Sequence, residues 1–353
     1  MEKLRQVVHR ERRKKCPALP KSIDEAIQLL KANGDLFKTN QGEEFIFVKE
    51  SSKMVAVTCV KNLQMFHEDV LLFADGTFSY CPKYFSQLYT LHAFKNGYYI
   101  MPLVFFFLPS KERKTYDAMW TFLNELSIKY TRKELKINKI YMDYEIAAHQ
   151  SIKSFRSSCI IKGCRFHLSQ AWYRKIQKDF PLIRREYETK HSEIGDWVKC
   201  FFGLSFLPPN DAEEAVAELI EICPSQDVIP FSDYIIDNYL TDESLFPTQL
   251  WADAPDDLPR TTNGPEAFHR VYNSMFSAPH PNIWRVITSL LEIQIETYLK
   301  ITDIECNKIR QSRKPELQRV NSVIEKWTQY SRQEITRLQY LQALGHKFKG
   351  IKI

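Results

Sequence analysis

This chain of 353 residues lacks any stretch able to cross a bilayer as a helix: its best run, Tyr98 to Leu108, falls well short of the ~18 to 20 residues such a span needs. The basic N-terminus is followed by no apolar segment, so it does not read as a secretory signal. No two of the eight cysteines form a C-x-x-C pair, and the chain is long enough to bury a core without cross-links. The thiols are therefore expected to be reduced and the protein intracellular. There is no internal repeat and no low-complexity tract. Residues 201–259 hold no Lys or Arg at all. Membrane and secreted readings are disfavoured. With 44% hydrophobic and 26% charged residues, what remains is an ordinary globular chain of one elaborated domain or about two to three units.

What is present is charge, unevenly spread. The formal net charge is +6. Residues 1–21 alone carry eight Lys/Arg against two Glu; residues 22–299 are net −7 and residues 300–353 net +7. The stretch without Lys or Arg holds 13 Asp/Glu. A basic head, an acidic middle and a basic tail are laid end to end. A basic terminus is either a solvated extension or a contact for nucleic acid or nuclear import, and charge alone does not choose between them.

Ser22-Ile-Asp-Glu25 is a capping box ahead of Ala26, Ile27, Leu29 and Leu30, and Gly34 closes the short helix it starts. Glu44–Val48 and Met54–Val60 read as strands around a polar Ser51-Ser52-Lys53 turn. Three more β-rich runs follow, Val70–Tyr80, Gln87–Phe94 and Tyr98–Leu108, and Asn96-Gly97 between the last two is a hairpin signal. Met119, Trp120, Leu123 and Leu126 give Tyr116–Tyr130 a helical period. Strand Ile137–Met142, helix Tyr144–Phe155, strand Ser158–Ile161 and helix Phe166–Gln177 continue the order. Residues 180–258 are Pro-punctuated, acidic and mainly helical. Pro265 onward is helical to about residue 343, with a break near Ala278–Pro281. Three antiparallel strands feeding βα units make an α/β mixed sheet with right-handed crossovers, an order best known from the ribonuclease-H-like fold. The expected organisation is a basic segment 1–21, a helix and β-hairpin lead-in 22–68, the first part of the core 69–179, an acidic helical insertion 180–258, a core helix 259–290 and a basic helical tail 291–353.

The chemistry-bearing candidates are carboxylates. Asp75 sits at the end of Val70-Leu-Leu-Phe-Ala-Asp75, and Asp143 ends Ile137-Asn-Lys-Ile-Tyr-Met-Asp143. A carboxylate at the tip of a buried strand is costly unless it is paired or holds a cation. Each alone reads as a turn residue. Two on neighbouring strands read equally well as ligands of a hard cation such as Mg²⁺. Glu266 follows Asn263-Gly-Pro265 in the first turn of a helix, where a Glu also serves the helix dipole. Glu145 reads as a helix N-terminal residue. Cys164 and His167 form a C-x-x-H element at a strand-to-helix junction; two ligands do not close a tetrahedral zinc site, so packing and hydrogen bonding are the expected role.

Taken together, four segments resemble the transposases of Mutator-like elements, in the branch associated with a FLYWCH finger. They are Ala74-Asp75-Gly-Thr-Phe78, Tyr141-Met-Asp143, Gly163-Cys164-Arg-Phe-His167-Leu-Ser-Gln-Ala171 and Thr262-Asn263-Gly-Pro-Glu266-Ala-Phe-His269. The aromatic hairpin Tyr89–Leu108 and the basic run from His9 to Pro20 also fit, and the likeness covers essentially the whole chain. The resemblance implies a ribonuclease-H-like domain with a DDE triad of Asp75, Asp143 and Glu266, separated by 68 and 123 residues, the second interval containing the helical insertion. It further implies two Mg²⁺ (or Mn²⁺) ions about 4 Å apart that serve DNA strand cleavage and strand transfer, in the nucleus, by a protein that could form a homo-oligomer on DNA. Arg260 and His269 flank Glu266 and would contact phosphate or orient the carboxylate. Arg10, Arg12, Arg13, Lys14 and Lys15 are the other candidates for nucleic-acid contact.

The chain departs from that pattern. It carries neither the N-terminal finger nor a SWIM-type C-x-C…C-x-H finger, and its acidic insertion would repel phosphate. That insertion is a solvated face, a surface for a protein partner, or a mask for the basic tail. The competing expectation is therefore a domesticated, non-catalytic nuclear DNA-binding or scaffold protein. A nuclease of the same fold acting on RNA–DNA hybrids is a weaker third.

Overall fold

A computed structural model of the chain describes residues 17–256, 263–310 and 314–348. Arg10, Arg12, Arg13, Lys14, Lys15 and Arg260 lie outside the described residues. The chain forms two compact units: the first is Met1–Ile140, Glu145–Ile160 and Thr262–Arg310; the second is Tyr141–Tyr144, Ile161–Thr261 and Gln311–Ile353.

The first unit opens with α1 (Ile23–Asn33), where Ser22 Oγ accepts the Glu25 N–H at 3.1 Å, as the capping box requires. Strands β1 (Ile46–Lys49) and β2 (Met54–Val57) form a hairpin. The β-branched run overstated β2: the strand stops at Val57, and Val60 instead begins the short helix α2 (Val60–Met65). Strands β3 (Leu71–Thr77), β4 (Gln87–Lys95) and β5 (Tyr98–Leu108) follow. Asn96 and Gly97 turn between β4 and β5 with φ of 51° and 77°, the doubly positive geometry of a two-residue hairpin turn. Next along the chain come α3 (Arg113–Thr131), β6 (Lys139–Met142), α4 (Ile146–Phe155) and β7 (Ile160–Gly163), with Tyr141, Met142 and Ile161–Gly163 counted in the second unit.

These strands make one seven-stranded mixed sheet in the order β1-β2-β5-β4-β3-β6-β7. The hairpin β1-β2, expected as a lead-in, extends the sheet by pairing with β5. Neighbours from β1 to β3 are antiparallel. Between β6 and β7, Ile160 N–H bonds to Asn138 O and Cys164 N–H to Met142 O, advancing in the same direction on both strands, which is a parallel ladder. Pro102 sits in β5 beside a register shift and beyond the residues that pair with β2, so its missing N–H breaks no ladder bond there. The Leu103 carbonyl at this bulge is taken by Thr58 Oγ1 and Asn62 Nδ2.

Alternation along the strands builds two helical layers. Phe105, Phe107 and Leu88 face one side, packed with α1 and with α11 (Asn263–Ser274) and α12 (Ile283–Glu305) through Tyr272, Ile287 and Leu290. Tyr89, their neighbour on the opposite face, packs edge-on against Tyr116 of α3.

The second unit is helical: α5 (Arg165–Asp179), α6 (Pro181–Glu188), α7 (Glu193–Gly203), α8 (Pro209–Glu221), α9 (Ile229–Ile235), α10 (Thr248–Trp251), α13 (Lys314–Ser331) and α14 (Arg337–Phe348). Its core is aromatic, with Trp172, Phe201, Phe202, Phe231, Tyr239 and Trp251. A side chain on Gly345 would collide with the Lys199 carbonyl, so glycine is what lets α14 approach the backbone of α7. The basic tail expected as one piece is therefore divided: residues to Arg310 belong to the first unit, and α13 and α14 to the second. In the second unit Arg337 pairs with Glu214 and Glu218 of α8, and Tyr330 donates to Asp211 at 3.1 Å. The acidic insertion neutralises part of that tail. No helix among the described residues is long and apolar enough to cross a membrane.

Candidate active site

The register of β3, β4 and β5 sets the site. Asp75 is opposite Thr90, and Thr90 is opposite Phe105, so the three side chains form one row on the face that α11 covers. Helix α11 carries Glu266 in its first turn and His269 three residues on, on the same side of the helix. Phe268 packs edge-on against His92 of β4 at 5.0 Å and tilts over Phe105 at 5.8 Å, which holds the helix to the sheet.

His269 Nδ1 lies 3.1 Å from Asp75 Oδ2, and Asp75 Oδ1 accepts the Gly76 N–H at 2.8 Å. Thr90 Oγ1 donates to the Asp75 carbonyl at 3.0 Å and lies 3.1 Å from His269 Nε2 and 2.8 Å from His92 Nε2. A hydroxyl has one proton to give. Because Thr90 gives it to the carbonyl, both imidazoles must donate their Nε2 protons to the hydroxyl oxygen. His92 is then the neutral tautomer, with its Nδ1 lone pair left without a partner among the described residues. Its pKa is pushed well below the ordinary histidine value, by burial first and then by the charges of His269 and Lys300. His269 spends its Nε2 proton on Thr90, so one further proton lies on the line between its Nδ1 and Asp75 Oδ2. Only 6% of Asp75 and 7% of His269 remain exposed, so the pair is almost closed from water.

Asp75 is not at a strand tip, as the sequence pattern implied. Gly76 and Thr77 continue the ladder with Tyr89 and Leu88. A mid-strand carboxylate is tolerated because a backbone amide and a ring nitrogen serve its two oxygens. Asp143 follows β6 directly, as expected, and belongs with Tyr141, Met142 and Tyr144 to the second unit. Asp75, Glu266 and His269 belong to the first. Glu145 stands at the N-cap of α4 and accepts the Tyr116 hydroxyl at 2.9 Å, while burial pushes its carboxyl up.

Cys164 is the buried N-cap residue of α5, and His167 falls in that helix's first turn, with Sγ and a ring nitrogen within 4.8 Å of each other. Thr90 and His92 were not among the sequence candidates. The signal that finds them is two polar residues at positions i and i+2 of an apolar strand, hence on one face.

Compared with protein-family models the chain matches none, and no curated protein matches it.

Proposed function

We propose that the chain is a metal-dependent DNA strand-cleaving and strand-transferring enzyme of the Mutator-like transposase type, on a ribonuclease-H-like sheet, with Asp75, Asp143 and Glu266 as its acid triad. One observation carries the reading: α11, the helix of Glu266, lies on β3 with His269 against Asp75, joining two motifs 194 residues apart. The sheet order supports it, since three antiparallel strands are followed by β6 beside β3 and by a parallel β7.

The donors suit a hard cation. Each Asp75 oxygen receives one donor and keeps acceptor capacity, and carboxylate oxygen is what Mg²⁺ or Mn²⁺ takes. Asp75, Asp143 and Glu266 would hold the ions. When bound, such ions supply an activated water or 3′-OH and offset charge on the transferring phosphoryl group. The protein's own contribution is orientation. His269 fixes the Asp75 carboxylate, Thr90 fixes His269 from its other nitrogen, and Phe268 keeps the assembly dry. DNA is the proposed partner and the nucleus the proposed location.

A second reading draws on the near-complete burial of the Asp75–His269 pair: a tie between sheet and helix in a non-catalytic, domesticated DNA-binding or scaffold protein. Nicking of supercoiled plasmid in Mg²⁺ or Mn²⁺ separates the two. The wild type is expected to nick, and Asp75→Asn and Glu266→Gln to lose at least about 100-fold in rate. A wild type that leaves the plasmid intact, or an Asp75→Asn protein that nicks at the wild-type rate, overturns the enzyme.

A further inference from the structure

In the second unit's basic tail Arg337 pairs with Glu214 and Glu218, Arg332 lies against Glu334 and His346 against Asp196. Arg319 of α13 and Lys347 of α14 are exposed and make no ion pair or hydrogen bond among the described residues. Both meet Arg165, the first residue of α5, at one aromatic floor. Phe206 and Phe348 form that floor, with ring centroids 4.7 Å apart and both rings nearly buried. Arg165 Cζ sits 5.0 Å from the Phe206 centroid and 4.5 Å from that of Phe348; Arg319 Cζ is 4.8 Å and Lys347 Nζ 6.0 Å from the same Phe348 ring. Three cations from three helices converge on one side chain.

A ring face attracts a cation through its quadrupole without taking its N–H donors, so Arg319 and Lys347 keep theirs. The like charges repel. Burial, and then the charge of Arg319, push the Lys347 ammonium below the usual lysine range.

We infer that this cluster is a seat for the backbone phosphates of a nucleic-acid strand. Arg319 and Lys347, held at one ring, match neighbouring phosphates, and the guanidinium fork fits phosphate oxygens. The two rings are too buried to stack on a base, so the seat reads charge and not sequence. The acid-rich stretch 201–259 repels phosphate, which leaves backbone contact to cations that it does not cover. Naming the ligand as nucleic acid rests on the proposed DNA reading; the geometry owes nothing to Asp75.

The test is fluorescence anisotropy of the full chain with a duplex of about 30 base pairs, in EDTA, over a NaCl series. Arg319→Gln with Lys347→Gln is expected to reduce the slope of log K against log salt by about two and to weaken binding about 10-fold or more near 0.1 M salt. Arg319→Lys with Lys347→Arg restores the slope. Equal melting temperatures establish that folded proteins are compared; should the Gln pair melt lower, Lys347→Gln alone carries the test, with a slope change of about one. An unchanged slope, or a wild type that does not bind DNA, overturns the seat. Inorganic phosphate at matched ionic strength is expected to displace DNA from the wild type more readily than from the Gln pair, since it competes for the same cations; equal displacement from both overturns the seat. EDTA removes cleavage from the assay. Lost nicking with the expected slopes breaks the Asp75 reading alone, and unchanged slopes with nicking intact break the seat alone.

Discussion

Both units bury large rings, and they differ in the polar groups buried beside them. The first buries polar groups in connected sets: Asp75, Thr90, His92 and His269 form one, with His92 Nδ1 left over, and Asn62 and Gln294 exchange amide hydrogen bonds at 2.8 Å in another. The second buries rings, with Trp172 edge-on to Phe202, Tyr239 and Trp251, and leaves most of its ionic partners nearer the surface. Rings contribute burial in large amounts with broad geometric tolerance. Hydrogen bonds contribute little net stability each but specify direction and penalise any missing partner. Hydrogen bonds of this kind fix the direction of the Asp75 carboxylate in the first unit.

Four substitutions or titrations probe this contrast. The largest loss of stability is expected from Trp172→Ala, about 3–5 kcal/mol from lost burial and an unfilled cavity, read by denaturant unfolding; a loss below ~1 kcal/mol would show that the ring cluster tolerates voids. Thr90→Val preserves shape and removes only the oxygen that both imidazoles use. It is expected to cost about 1–3 kcal/mol, and a neutral outcome would dissolve the proton arrangement argued for the site.

The third is a titration. His92 takes a proton near its ordinary value of 6.5 when unfolded and only at lower pH when folded, burial being the chief cause. Its contribution leaves stability intact above pH 6.5, and stability falls as pH drops below that value until the folded pKa is reached. The slope is up to about 1.4 kcal/mol per pH unit, and His92→Gln should flatten it in urea melts at descending pH. The smallest effect is reserved for Arg337→Gln, about 0.5–1 kcal/mol, because Glu214 and Glu218 are half exposed and screened; salt should shrink it further.

Local signals in the chain were legible and distant pairings were not. The Ser22 cap, the Asn96-Gly97 turn and Glu266 in the first turn of its helix lie where the residues indicate, because each depends on a few neighbours. The attachment of β1-β2 to β5 was hidden, since a hairpin's outer edge carries no record of its partner. Val60 misled because a β-branched residue after a strand continues the same pattern, whereas the α2 turn is set by Asn62 and Leu63 being buried. Thr90 and His92 were passed over although their spacing marks a face: their meaning depends on His269, far along the chain. The division of the basic tail depends on two glycines, Gly203 and Gly345, whose value lies in what they leave out.

The path of the chain between the two units has a consequence for synthesis. It passes from one to the other near residues 140, 144, 160, 261 and 310, so neither unit is a continuous stretch. A ribosome releasing this chain in order cannot finish the first unit before α12 emerges, nor the second before α14 does. Aromatic surface made early must therefore wait for partners made late. High contact order of this kind slows folding and lengthens the exposure of sticky intermediates. Pulse proteolysis of stalled nascent chains should find protection of the Trp172 region arriving only with the last helix.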